Sequence, residues 1–177
     1  MTMLLVLVGL MVILAAIAKE AAKTGKKTKR GQDRYLAKPL LSENEKKWYR
    51  TIKEAAPHVE IFGQVAMNQL LTGAGEQRWS AQGKIRPRSI DFVLLNADLE
   101  VVLAIEIDDR SHERPGRKLE DATKSWALEC AEIPLLRIKA TPILPSEVVK
   151  RMIVETLAAK AREKAAAKAA PVRTKNN

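Results

Sequence analysis

Cysteine occurs once in the chain, at Cys130, and histidine twice, at His58 and His112. A single cysteine excludes an intrachain disulfide and a cysteine-based zinc site, and it fits a reducing compartment. Two histidines exclude histidine-rich metal chemistry. Cys130 falls in a helix-like stretch beside Leu128 and Ala131, where its plain reading is a small buried hydrophobe. Internal repeats are lacking. Also lacking is an excess of either charge in the centre of the chain: residues 41–157 carry 17 basic and 18 acidic side chains. The net charge of +10 therefore resides in the flanks. Residues 19–40 hold eight Lys or Arg against two acids, and residues 158–177 hold six against one. The overall basicity is accordingly a weak argument for nucleic-acid binding by the central region.

What is present amounts to one domain's length, 177 residues, 46% hydrophobic and able to bury a core. Met3–Ala18 is an uncharged apolar run. It is slightly short of the roughly 17–25 residues that span a bilayer. Met1 and Thr2 extend it, and the Lys19 stem can snorkel. A cleaved signal peptide is the rival, with Ala16-Ile17-Ala18 as its cleavage site. No positive region precedes the run, however, and the basic residues that follow oppose export. The expectation is an N-terminal transmembrane helix over 1–18: a single-pass anchor in the inner (cytoplasmic) membrane with the C-terminal domain cytoplasmic. Residues 19–40 then read as a basic juxtamembrane linker against anionic lipid headgroups, or alternatively as a nucleic-acid-binding arm. Residues 41–157 form the domain, and 158–177 a basic Ala/Lys-rich tail.

Within the domain, Ser42-Glu43-Asn44-Glu45 is a capping box, followed by Trp48, Tyr49, Ile52 and Ala56 at helical spacing and stopped by Pro57. Ile61–Val65 reads as a strand running into a short helical piece. Gln64 there lies either on the surface or toward a site. Thr72–Gly83 reads as a polar, glycine-containing loop, whose Trp79 either folds onto the core or stays exposed to stack on a base. Leu119–Glu132 reads as a helix with an apolar stripe of Leu119, Ala122, Trp126 and Cys130, and with Asp121 and Lys124 as an i, i+3 ion pair. Ile133–Lys139 is the next strand. Ser146 caps a last helix to about Lys168, apolar at Val149, Met152, Ile153 and Leu157.

Ile90–His112 organises the rest. It reads as two strands rich in Val, Ile and Leu, joined at Asn96-Ala97-Asp98. Strand alternation puts Glu106 and Asp108 on one face and Asp91 on the face of Val93 and Leu95. Paired as a hairpin, the strands can bring three carboxylates within reach of a single ion. Crowded carboxylates repel unless a proton or a hard cation such as Mg²⁺ sits among them. Basic residues bracket this centre: Lys84, Arg86 and Arg88 before it, and Arg110, Arg114, Arg117 and Lys118 after it. A strand–helix–strand crossover from Val101–Asp108 to Ile133–Ile138 completes an α/β fold, a central mixed β-sheet flanked by helices.

Three pieces in this order resemble the PD-(D/E)XK, or restriction-endonuclease-like, superfamily: LLSENEKKWYRTI; RSIDFVLL with VVLAIEIDDRSH; and RKLEDATKSWALECAEIPLLRI. They cover Leu40–Ile138 and look closest to a bacterial domain-of-unknown-function family within that superfamily. The resemblance implies that Asp91 and Glu106 hold Mg²⁺ or Mn²⁺. It also implies a lysine two residues after the second acid. That position is Asp108, which can bind metal but supplies no positive charge, so Lys124 is the first candidate for the displaced role. Glu45 matches the first-helix glutamate that often joins the acidic site, although capping alone accounts for it. Arg86, Arg88, Arg110, Arg114 and Arg117 would grip phosphates. His112 is a phosphate contact or general base, or merely solvated, and Asp109 points away. The implied function is a membrane-anchored, Mg²⁺-dependent nuclease-like domain hydrolysing phosphodiester bonds. Its rivals are a catalytically silent module of the same fold that binds nucleic acid or protein, favoured by the missing lysine, and a purely structural membrane-associated domain.

Overall fold

The computed structural model describes residues 35–108 and 115–169, with the backbone alone over 115–120. The fold lies in a unit that begins at Pro39. The segment 1–18 expected to cross the membrane, nearly all of the expected basic linker and the last residues of the expected tail lie outside the described residues. Among the described residues no helix is long and apolar enough to cross a membrane.

Helix α1 (Glu43–Ala55) starts where the capping box sets it: Ser42 Oγ accepts the Glu45 N–H at 3.3 Å, and Glu45 Oε2 accepts the Ser42 N–H at 2.6 Å. It buries Trp48, Ile52 and Ala55, a stripe at helical spacing. The Trp48 indole donates to the Ala140 carbonyl at 3.0 Å and ties the helix to the far side of the sheet. The sheet has four strands in sequence order: β1 (Glu60–Ala66), β2 (Ser89–Leu95), β3 (Val101–Asp108) and β4 (Leu135–Lys139). The first two pairings are antiparallel and the last is parallel, so the sheet is mixed. The β2–β3 turn is held by Asn96, whose Oδ1 accepts the N–H groups of Asp98 and Glu100 at 3.0 and 2.9 Å.

Short helix α2 (Met67–Leu70) follows β1, α3 (Arg78–Ile85) precedes β2, α4 (Pro115–Cys130) makes the parallel crossover, and α5 (Ser146–Ala169) closes the chain. Alternation along β2 and β3 divides the core in two. Phe92, Leu94, Leu103 and Ile105 pack with Trp48 and Ile52 of α1 and Val149 and Ile153 of α5. Val93 and Ala104 join Ile90, Met67, Ile85 and Leu128 of α4. The expected α/β sandwich of a mixed sheet between helices is therefore present.

Several local expectations fail. Thr72–Gly83 is not loop throughout, because α3 occupies Arg78–Ile85 and anchors itself by burying Ile85. Gly83 sits inside that helix with open space around it. Trp79 does not fold onto the core. It is 77% exposed, with the Arg78 guanidinium 5.4 Å from its ring centroid. In α4 the apolar stripe is also misread: Trp126, Ala122 and Cys130 face outward, and Leu128 is the buried residue. Trp126 and Cys130 line a cavity of about 340 Å³ between α3 and α4. Asp121 and Lys124 do not pair with each other; each turns to a different strand residue. Helix α5 begins at Ser146 itself, with the Pro145 carbonyl accepting the Val149 N–H at 3.1 Å.

Ile105 is fully buried in mid-β3, between Phe92 on β2 and Leu136 on β4. Truncation leaves a cavity that both neighbouring strands constrain. Ile105→Ala should cost about 2–5 kcal/mol, seen as a lower urea midpoint at unchanged m-value.

Candidate functional site

The strand register lines up a polar row across the α4-facing side of the sheet. Pairing of Gly63 with Phe92 and Val65 with Ile90 sets Gln64 opposite Asp91. Pairing of Phe92 with Ile105 sets Asp91 opposite Glu106, and Glu106 pairs directly with Arg137. One residue from each strand thus enters the row Gln64, Asp91, Glu106, Arg137.

Each member is held by named contacts. Glu106 is only 6% exposed, and among the described residues it is the buried charged side chain. The Lys124 ammonium of α4 donates to both its oxygens, at 3.0 and 2.9 Å. Asp91 Oδ2 accepts the Ile107 N–H at 2.8 Å, and its Oδ1 accepts from Gln64 Nε2 at 3.3 Å. The same Nε2 donates to Glu45 Oε1 at 2.6 Å, while Ser89 Oγ donates to Gln64 Oε1 at 3.3 Å. Glu45 therefore caps α1 with one oxygen and joins the row with the other. Asp108 points the same way as Glu106 but is half-exposed. Its Oδ1 accepts from Arg137 NH1 at 3.1 Å, and Arg137 also reaches Ser125 Oγ at 3.1 Å and the Asp121 carboxylate at 3.8 Å.

Burial raises the Asp91 carboxyl above its ordinary pKa. The Ile107 N–H and the Lys124 charge oppose this shift, and the nearby Glu45 charge adds to it. Burial likewise raises the Glu106 carboxyl, against the pull of Lys124 and with the push of Asp91. The carboxylates of Asp91 and Glu106 offer oxygen atoms, the kind of ligand a hard divalent ion takes. Among the described residues no three Asp, Glu, His or Cys side chains are disposed to hold a metal together. A site here would rest on Asp91 and Glu106, completed by water or substrate phosphate, as Mg²⁺ sites commonly are.

Of the residues singled out from sequence, Asp91, Glu106, Lys124 and Glu45 come together, and Asp108 lies beside them in the Arg137 ion pair. Arg86 is exposed just past α3. Arg88 turns its guanidinium back to the Lys84 carbonyl, closing that helix, and its buried Nε has no partner. Arg110, His112 and Arg114 lie outside the described residues, as does the side chain of Arg117. Sequence reasoning left Gln64 undecided and passed over Arg137. Arg137 carried a signal: it alternates with buried Leu136 and Ile138 in an apolar strand, as Glu106 alternates with apolar residues in its own.

A mixed-sheet α/β domain with a carboxylate pair and a helix-borne lysine on one sheet face defines the class of this chain by its architecture. The chain belongs to the family described as protein of unknown function (DUF2726), which matches residues 37–157. It is also similar to the uncharacterized protein y4bI of Sinorhizobium fredii (strain NBRC 101917 / NGR234), at 25% identity over 130 residues, covering 71% of this chain and 91% of that protein. No solved structure matches the chain.

The raised carboxyls have a stability consequence with a definite sign. A group whose native pKa exceeds its unfolded value binds more protons when folded. Its stabilising contribution is complete below the unfolded pKa and is lost as pH rises through the native one. Removing the Lys124 charge extends that window upward for Glu106. Lys124→Met should cost about 3–5 kcal/mol at pH 7, and the loss should shrink as pH falls and a proton replaces the ammonium. Urea denaturation of both chains between pH 7 and pH 5 checks this; a pH-independent difference contradicts it.

Proposed function

We propose that residues 41–157 form a divalent-cation-dependent phosphodiesterase of the restriction-endonuclease-like type, acting on nucleic acid and tethered to the inner membrane by the N-terminal segment. One observation carries the reading. Lys124 places its ammonium on Glu106, opposite Asp91 in the strand register, where it could take the role of the lysine that the motif lacks at Asp108. An apolar sheet face does not keep two carboxylates and a lysine together without cost, and this trio is the set that the superfamily resemblance implies for metal-dependent phosphodiester hydrolysis.

In this reading Asp91 and Glu106 hold the Mg²⁺ or Mn²⁺ ion. When bound, the ion polarises a phosphoryl oxygen and lowers the pKa of a coordinated water. Asp91 keeps its orientation through the Ile107 N–H and the Gln64 amide. Lys124 must share Glu106 with the ion; from there its ammonium can orient the attacking water and offset charge developing on the phosphate. Asp108 is engaged by Arg137, so its part as a ligand requires that pair to open. Arg86, Arg110, Arg114, Arg117 and His112 are the proposed phosphate contacts, and the basic linker is proposed to lie on anionic headgroups.

A second reading draws on the same ion pair. Lys124 already satisfies both Glu106 oxygens, which suits a silent module that uses the fold to bind nucleic acid or protein. Calorimetry with Mn²⁺ and Mg²⁺, beside hydrolysis assays on single- and double-stranded DNA and RNA, separates the two. The enzyme reading expects cation binding that is lost in Asp91→Ala and Glu106→Ala. It also expects cation-dependent hydrolysis that falls by about 10²–10⁴-fold in Lys124→Ala while binding persists. Cation binding without hydrolysis of any of these substrates would favour the silent module, and absence of binding by the folded chain would count against catalysis.

A further inference from the structure

We infer that Gln64 is a positioning residue for the acidic site: its side-chain amide, held in a strained strand backbone, fixes the Asp91 carboxylate and couples it to Glu45. The inference rests on the reading that Asp91 and Glu106 bind a divalent cation.

The first support is conformational. Gln64 lies in the interior of β1 with φ at +53°, a left-handed value. Residues other than glycine rarely adopt it, and glutamine has no special tolerance for it. Such strain persists only where surrounding contacts over-determine it, and it gathers at functional sites. Here the contacts are visible. Both ends of the amide are engaged, and the partners dictate which end faces which way. Carboxylates accept only, so the NH₂ group must face Glu45 Oε1 and Asp91 Oδ1, and the carbonyl must face the Ser89 hydroxyl.

The second support is what the bridge does for its neighbours. Asp91 has one oxygen on the Ile107 N–H of β3 and the other on the Gln64 amide of β1. The carboxylate is gripped from both flanking strands, which sets its plane. Each oxygen of a carboxylate offers two acceptor sites, so a lone pair on each stays available for a cation. Gln64 also stands between Asp91 and Glu45 as a neutral double donor. Glu45 is itself fixed by the capping box at the start of α1. The run Ser42, Glu45, Gln64, Asp91, Ile107 thus links a helix end to β3 beside Glu106. A shorter or amide-free side chain at position 64 breaks this link at its middle.

A purely architectural Gln64 and a positioning Gln64 predict opposite patterns. Glycine adopts the left-handed conformation without steric cost, and water can take over at the carboxylates. Gln64→Gly in the full chain should therefore melt no lower than wild type without metal, yet bind Mn²⁺ at least tenfold more weakly by calorimetry. Gln64→Asn, which tolerates positive φ better but is one methylene short of the bridge, should behave the same way. Lower melting temperatures with unchanged Mn²⁺ affinity would make the residue architectural and overturn the inference, and so would variants that match wild type in both measurements. Wild-type chain that binds no Mn²⁺ would remove the cation reading and this inference with it. Wild-type binding with unaffected variants would remove the inference alone.

Discussion

A buried carboxylate on the face of a β-sheet is the constraint from which the rest of this structure follows. Glu106 sits in the middle of β3, nearly inaccessible to solvent, among strands made of Val, Ile and Leu. An ion in such a place must be paired or must take up a proton. The partner cannot come from the neighbouring antiparallel strand, where Asp91 stands opposite. It comes from α4, and the reach of Lys124 decides how that helix sits. With Lys124 turned to the sheet, Leu128 one turn on is buried beneath the helix, and Trp126 and Cys130 are rotated outward into the cleft beside α3. Arg137, next to Glu106 on the parallel strand, then gathers Asp108, Asp121 and Ser125 around itself.

This ordering explains what could be read from the sequence and what could not. Strand alternation made Asp91 and Glu106 legible as interruptions of apolar runs, and the turn residues at Asn96 fixed the hairpin that brings them opposite. The Ser42–Glu45 box placed the start of α1, because a capping box is a local interaction and needs no tertiary information. The parallel crossover followed from the length and pattern of the segment between β3 and β4. Helix α4 shows the limit of periodicity. Counting apolar residues selects Leu119, Ala122, Trp126 and Cys130 as the inner face, whereas an ion pair formed with a residue 18 positions away selected another. The helix α3 was hidden for a related reason. Its local sequence is polar, and one buried residue, Ile85, anchors it. Gln64 was undecided because its side-chain direction depends on a backbone conformation that glutamine seldom adopts, which no propensity would have assigned.

The placement of an acid at Asp108 and a cation at Lys124 also has a physical logic. The position two residues after Glu106 is half open to solvent, so either sign of charge is tolerated there once it is matched, and Arg137 matches it. The position against Glu106 is closed, and there only a cation is tolerated. A lysine on β3 would have to leave the half-open position and curl back to Glu106. A lysine on α4 approaches from above the sheet and meets both oxygens squarely. A cation on the helix therefore serves the Glu106 pairing and leaves the strand position to Asp108 and its Arg137 partner.

The same electrostatics connects stability with the proposed chemistry. Burial raises both Asp91 and Glu106, so the fold favours their neutral forms more than water does. Three acids, Glu45, Asp91 and Glu106, share this region with two cations, Lys124 and Arg137. A bound divalent ion would relieve this imbalance in the native state alone, and such selective binding stabilises by about 2.7 kcal/mol at a hundredfold excess over Kd. Gln64 fills the gap between Glu45 and Asp91 with a neutral amide and adds no charge of its own.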